Sequence, residues 1–588
     1  MQDYLIKSGT ILDGTGAPAY QADLSIKDGI ITAIGALEVE AKQTLDATGA
    51  IVTPGWVDIH THYDGQVTWD GDMNPSASHG VSTIVMGNCG VGFAPVAPSG
   101  HRDLIELMEG VEDIPGTALY EGMPWGAWET YPEYLDFLAK REYALDISSL
   151  VAHGAIRNYV MGARGRNNEA ATAEDLAQMQ ELITEALNAG AVGFSTSRIL
   201  GHRSTRGEPV PGTFANDVEI LAIAAGALKR AGKGVFQIIP SSTLGSGVEA
   251  GGEPNTLEDE VALIQKVSQV SGRPTTFTLF QVDEWTNKWR EVIDTIKAGN
   301  LKAGQSAGKV YPQVGSRPTG IVLGLKTYHS FMRKPTYLKL KHLPFDELLA
   351  AMRRPEIKAA LLTEESVPHE FPGTMENGIA QAQLNFDQTY VLDQSMNYEP
   401  AQTQSFAALA AANQQNGWEY FYDYLVGADG CQNAVMFFTN YSDHNLDAVR
   451  DMLLDDTTVT GLSDAGAHVS LIFDAVAPTY QLVYWGRDRT RGPILPLPHL
   501  IHRQTLKNAQ LFGFHDRGSL EVGKRADINV IDFDNLKLGD MQLHHDLPAG
   551  GARFLQGASG YIATLVNGVL TRRYDQDTGA RPGRLVRS

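Results

Sequence analysis

Along the first fifty residues, apolar and polar positions alternate in short runs broken by turn residues: "DYLIKSGTIL", the loop "DGTGAP", then "QADLSIKDGIITAIG". Alternation of this kind predicts half-buried strands, and Lys27-Asp28-Gly29 predicts a hairpin within the third stretch. The pattern returns near the other end in "GSLEVGKRADINVIDFDN" and "YIATLVNGVLTRRYD", where Asn567-Gly568 is a strong two-residue hairpin signal. The two ends are therefore expected to pair into one small β-domain, residues 1–55 with 518–588.

Between them the pattern becomes apolar runs followed by amphipathic helical stretches. "LDISSLVAHG" precedes "TAEDLAQMQELITEALNAG", and the alternation continues through "AVGFSTSR", "VFQIIPSS", "PTTFTLFQV" and "LKAGQSAG" as strands, with a last strand near "TVTGLSDAG". Repeated strand–helix units predict an α/β fold with a parallel sheet under helices, and eight of them would close a TIM-type (β/α)8 barrel over residues 56–517. No GxGxxG follows the early strands, which argues against a dinucleotide-binding sheet. From about 335 to 455 the rhythm fails and helical, aromatic-rich text takes over, read as a mainly helical insertion that walls or lids the site.

Composition narrows the function. The 588 residues are 43% hydrophobic and 20% charged, an ordinary globular balance, and the formal charge of −22 argues against nucleic acid and anionic membrane surfaces as partners. With no basic leader and no run near the ~18 apolar residues of a membrane span, a cytoplasmic protein is expected. Two cysteines, Cys89 and Cys431, cannot build a disulfide framework. Monomer and symmetric homo-oligomer both remain open.

The candidate chemistry starts at "VTPGWVDIHTHYDGQ", residues 52–66. Side chains at i and i+2 of a strand share a face, so His60 and His62 point together, and the barrel reading delivers them to the C-terminal mouth where such folds keep their sites. Two polar loop residues are the plainer alternative. "GVSTIVMGNCGVGFAP" brings Cys89 to the same end of the next strand, where it is either a buried thiol or a ligand for a soft metal such as zinc. "GLSDAGAH" places Asp464 at the tip of the last strand and His468 one short loop later. Alone, Asp464 reads as a turn or cap; beside the other three it reads as a metal ligand that also takes the proton from an attacking water.

These segments, with "AHGAIRNYVMG", "GAVGFSTSR", "VPGTFA", "DRGSLEVGKRADINVIDFD" and "TGARPGRLVR", resemble the N-acyl-D-amino-acid deacylase (D-aminoacylase) branch of the amidohydrolase superfamily nearly end to end. The resemblance implies a (β/α)8 barrel with a β-sandwich from both termini, zinc in the barrel mouth, and hydrolysis of an amide C–N bond in a small N-acyl substrate. It puts His60, His62, Cys89 and Asp464 on the family's metal-binding and catalytic positions.

The departures are equally specific. The family takes a further histidine from each of strands five and six, where this chain has Gln237 and Gln281, and "AVGFSTSR" lacks the lysine that other branches carbamylate. One zinc ion is therefore expected, another divalent metal being the alternative. His153 is a candidate to bond the substrate carbonyl, and Arg198, His202, Arg203 and Arg206, in the loop after strand four, are candidates to hold a substrate carboxylate together with Gln237 and Gln281. Lys326 and His329 are further candidates by proximity alone. The rival readings are a cyclic-amide hydrolase of hydantoinase or dihydropyrimidinase type and a non-catalytic ligand-binding barrel.

Overall fold

The computed structural model describes residues 1–245, 256–304, 308–393, 397–472 and 474–588. Eight parallel strands lie side by side in chain order: Trp56–Asp58, Val81–Met86, Asp146–Ala152, Gly193–Ser197, Val235–Ile239, Thr275–Thr278, Val310–Val314 and Val459–Thr460. The sheet closes on itself at its upper rim. Thr61 bridges in parallel to Ala465, His62 N donates to the Ala465 carbonyl at 2.8 Å, and Asp464 N donates to the His60 carbonyl at 3.1 Å. The seam of the (β/α)8 barrel is thus made by the residues singled out for chemistry.

The helices between strands follow from the pattern that predicted them. Ala173–Ala189 opens on a capping box, Thr172 with Asp175, and stops at Gly190 in the left-handed region; Leu257–Ser271 repeats the device with Thr256, Asp259 and Gly272. Valines and isoleucines from strands around the barrel, including Val57, Val85, Val235 and Val459, pack in one cluster with Phe512 and Phe514.

Strand seven departs from expectation. The text "LKAGQSAG" ends the helix Lys288–Ala303, residues 305–307 of it lie outside the described residues, and the strand is Val310–Val314, "VYPQV". A polar glutamine and a proline in so short a run hid it, since both read as breakers.

Both chain ends form one sheet of nine strands with its own apolar core. The join is antiparallel pairing of Ile51–Pro54 with Ile528–Ile531. Asp28 (φ 50°) and Gly29 (φ 79°), and Asn567 (φ 51°) and Gly568 (φ 71°), each make the positive-φ pair that a two-residue hairpin turn requires. Gly55 then carries the chain into the barrel, where a Cβ would lie 2.4 Å from Ser82 Oγ.

Between strands seven and eight the chain makes the long excursion expected from its aromatic text. Besides seven α-helices among the described residues between Pro335 and Leu454 it contains a three-stranded antiparallel sheet, Gly320–Gly324, Asn433–Phe437 and Thr389–Leu392, with a core around Phe331, Phe406, Phe421 and Tyr422. Val322 N donates to Leu471 O at 2.7 Å, tying the excursion to the loop after strand eight. Among the described residues no helix is long and apolar enough to cross a membrane.

Candidate metal centre

His60 and His62 sit just past barrel strand one, their rings edge to face with centroids 5.5 Å apart. Asp464 Oδ1 lies 3.3 Å from His60 Nε2 and 3.7 Å from His62 Nε2. Cys89 Sγ closes the group at 3.4 Å from His60 Nε2 and 3.7 Å from His62 Nε2. One donor atom from each of His60, His62 and Cys89 fits within a 4.8 Å span, and all three residues are buried. Three segments, following barrel strands one, two and eight, have been drawn to one point.

The backbone is held out of its ordinary range to achieve this. Cys89 (φ 56°), Asp464 (φ 47°) and His468 (φ 49°) all occupy the left-handed region, which costs a non-glycine residue about 1–3 kcal/mol and persists only where surrounding structure dictates it. At Cys89 that structure is the turn after strand two: Gln237 Oε1 accepts from Cys89 N at 3.3 Å, and Gly90 N donates to Ser195 Oγ at 3.1 Å. At the last strand, Ser463 Oγ donates to Asp58 Oδ2 at 2.5 Å, so a buried carboxyl on strand one anchors the turn that carries Asp464.

Two further residues lie against the Nδ1 atoms of the histidines, and neither is evident from motif spacing. Gln313 Oε1, on strand seven, lies 2.8 Å from His60 Nδ1. Glu112 Oε1, at the end of the helix His101–Glu112, lies 3.3 Å from His62 Nδ1. With a proton on each Nδ1 directed at these oxygens, each Nε2 would be the lone-pair nitrogen facing Cys89 and Asp464. Glu112 does carry a sequence signal: it falls on the same helical face as the buried Leu104 and Met108, four residues apart, and a lone carboxylate on an apolar face is a functional candidate. Gln313 was hidden with its strand.

Burial dominates the electrostatics. It pushes the Cys89 thiol up to about 12 and the Glu112 carboxyl up to about 7. Burial also opposes ionisation of Asp464 but is outweighed by His60, His62 and His468, which hold its carboxyl well below the usual range. His62 is likewise disfavoured as a cation by burial, yet Glu112 and Cys89 raise it well above an ordinary histidine. Two imidazoles, a thiol that keeps its proton until a cation replaces it, and an ionised carboxylate form a donor set suited to one tetrahedral divalent ion.

The remaining sequence candidates are distributed differently. His153 is buried outside the cluster with both ring nitrogens occupied, Nδ1 2.8 Å from Thr196 Oγ1 and Nε2 2.9 Å from Glu219 Oε1, so it is not free to bond a substrate carbonyl. Arg198 is committed to Glu260 at 3.0 Å and to the Ala215 carbonyl. Arg203 donates to Gly207 O at 2.7 Å, and the half-exposed Arg206 pairs with Glu106 at 2.6 Å. The arginines thus stitch the loop after strand four. His202, from the same loop, is drawn toward the cluster: Nδ1 lies 3.1 Å from Ser197 Oγ, and burial, then the charges of His468 and His62, pull it down to about 3. His468 sits beside Glu112, Nε2 to Oε2 3.5 Å. Gln237 braces Cys89, whereas Gln281 Nε2 donates to Asp443 Oδ2 at 2.8 Å and so ties strand six to the excursion. Lys326 lies over the Phe345 ring and His329 against Tyr337, both in the excursion's own packing.

The amidohydrolase family pattern matches residues 43–572, nearly the whole chain.

The chain belongs to the amidohydrolase family.

An uncharacterised protein of Mycobacterium tuberculosis is 25% identical to this amidohydrolase over 98% of this chain and 93% of its own length. The D-aminoacylase of Alcaligenes xylosoxydans xylosoxydans is 36% identical over a shorter stretch, 33% of this chain and 37% of that one. Among solved structures, the N-acyl-D-glutamate deacylase of Bordetella bronchiseptica, complexed with zinc and a phosphonate inhibitor, superposes with a TM-score of 0.62 at 22% identity over the full length of both chains. That likeness shows the shared fold.

Proposed function

We propose that this amidohydrolase releases the acyl group from N-acyl-D-amino acids or closely related N-acyl compounds, using one divalent ion, with zinc the first choice. The observation that carries the reading is the position of Asp464, a part-buried carboxylate whose Oδ1 lies within 3.7 Å of both histidine Nε2 atoms. Support for the substrate class comes from the deacylase relatives and from motifs that run nearly end to end.

His60, His62, Cys89 and Asp464 would hold the ion. When bound, a divalent ion supplies Lewis acidity, polarising the scissile carbonyl and easing deprotonation of water. Asp464 takes the proton of the attacking water on its carboxylate and returns it to the leaving nitrogen, which departs only once protonated. Gln313 and Glu112 hold the two imidazoles in the required tautomer throughout. Strand four, Gly193–Ser197, reads GFSTS and offers no lysine to bridge a metal pair, which favours the deacylase over the cyclic-amide reading.

A hydrolysis screen over both enantiomers of N-acetyl amino acids, with hydantoins alongside, tests the substrate class; turnover of hydantoins alone would replace it with the cyclic-amide reading. Asp464→Asn is expected to lower kcat by about 10²–10⁴-fold while the circular dichroism spectrum is unchanged. Near-full activity in that variant would remove Asp464 from the reaction.

A further inference from the structure

Glu112 is 1% exposed, and its carboxylate spans two histidines that come from opposite ends of the barrel order. Oε1 lies 3.3 Å from His62 Nδ1, and Oε2 lies 3.5 Å from His468 Nε2. The Glu112 carbonyl also accepts from His468 N, so backbone and side chain both bind the loop after strand eight. The next residue extends the clasp. Asp113 (φ 53°) accepts from Ser470 N at 3.2 Å, from Ser470 Oγ at 3.1 Å and from the Tyr328 phenolic OH at 2.7 Å.

Two orienting groups of different strength therefore serve the two imidazoles: the neutral amide of Gln313 for His60 and a carboxylate for His62. A carboxylate acceptor makes an imidazole a stronger donor and fixes its ring plane. Among the described residues neither His62 Nδ1 nor Glu112 Oε1 has a hydrogen-bond partner of ordinary geometry; they lie 3.3 Å apart, within reach, and only the alignment of the ring N–H with the carboxylate falls short.

We infer that Glu112 is a positioning residue that orients His62 for metal binding and holds the His468 loop over the same centre. The inference rests on the metal reading above. Glu112 touches neither substrate nor the reacting atoms in this role. Its effect passes through the His62 ring, which it aims at the point shared with His60, Cys89 and Asp464.

The test is metal affinity. Apo protein is titrated with Zn²⁺ against a chromophoric chelator, and the Co²⁺-loaded protein is examined by visible absorption, which reports ligand geometry without turnover. Wild type is expected to hold one equivalent, Glu112→Gln to bind about 10–100-fold more weakly with an altered Co²⁺ spectrum, and Glu112→Ala more weakly still. Asp113→Asn loosens the same loop without touching His62 and is expected to leave affinity unchanged. Should Glu112→Gln fail to fold, Glu112→Asp, which retracts the carboxylate by one methylene, carries the same comparison. Wild-type affinity and spectrum in Glu112→Gln would overturn the inference, as would an equal loss in Asp113→Asn, since loop tethering would then explain it. A wild-type protein that binds no metal would instead overturn the metal reading itself.

Discussion

In the proposed centre His60 and His62 supply the nitrogens and strands five and six supply no histidine: Gln237 braces Cys89 and Gln281 bonds Asp443. Loss of either imidazole should then cost metal as well as rate: His60→Ala and His62→Ala are each expected to leave less than one equivalent of zinc by elemental analysis, and full occupancy in either would exclude that residue as a ligand. Cys89→Ser is expected to bind zinc more weakly and to hold harder ions comparatively well, because a hydroxyl replaces a soft sulfur; competition between Zn²⁺ and Mn²⁺ reads this. At this scale HxH, Cys89 and Asp464 were legible because each follows an apolar strand in a short motif. Glu112 and Gln313 belong to no motif: one shows only as a carboxylate on the apolar face of its helix, the other lies on a strand whose proline and glutamine broke the pattern. Arg198 and His153 had motif-like surroundings, yet their buried partners Glu260 and Glu219 come from later helices that no local reading pairs with them.

The element that decides the site is the seam between strand one and the turn after strand eight. Gly466 (φ 95°) sits there with its Cα facing the His62 carbonyl, and a Cβ would lie 2.8 Å from that oxygen. Gly466→Ala is expected to destabilise the fold by about 1–3 kcal/mol, read by denaturant unfolding, and to weaken metal binding because His62 and Asp464 share the displaced backbone. Helix caps and hairpin turns were legible at this level, since each is set by two to four adjacent residues. The three-stranded sheet of the excursion was not, because Gly320–Gly324 pairs with Asn433–Phe437 across more than a hundred residues of helical text.

Over the whole molecule, the two chain ends and the barrel form one connected structure. Ile528–Ile531 pairs with Ile51–Pro54, Val586 N donates to Ile147 O at 2.7 Å, and Arg517 reaches the buried Asp146 of strand three at 2.7 Å. Deleting residues 518–588 is therefore expected to yield insoluble protein rather than a free barrel, as expression and gel filtration would show. Acid should also act on the whole fold. Burial holds His79 down to about 4, with Nε2 2.8 Å from Gln556 O, and holds His329 down to about 3, against an ordinary 6.5. Above pH 6.5 both are neutral folded or unfolded; below it only the unfolded chain takes up the protons, so stability is lost as pH falls from 6.5 toward 4. Each group contributes a slope of up to about 1.4 kcal/mol per pH unit, and His79→Gln should flatten the pH dependence of Tm in that window. The sequence by itself determined the (β/α)8 class, the β-unit from both ends and the short motifs that carry His60, His62, Cys89 and Asp464, because periodicity and turn chemistry act over a few residues. Only the tertiary structure decided that Glu112 and Gln313 lie against the two histidines and that the arginines pair elsewhere, because those contacts depend on barrel closure bringing distant strands to one rim.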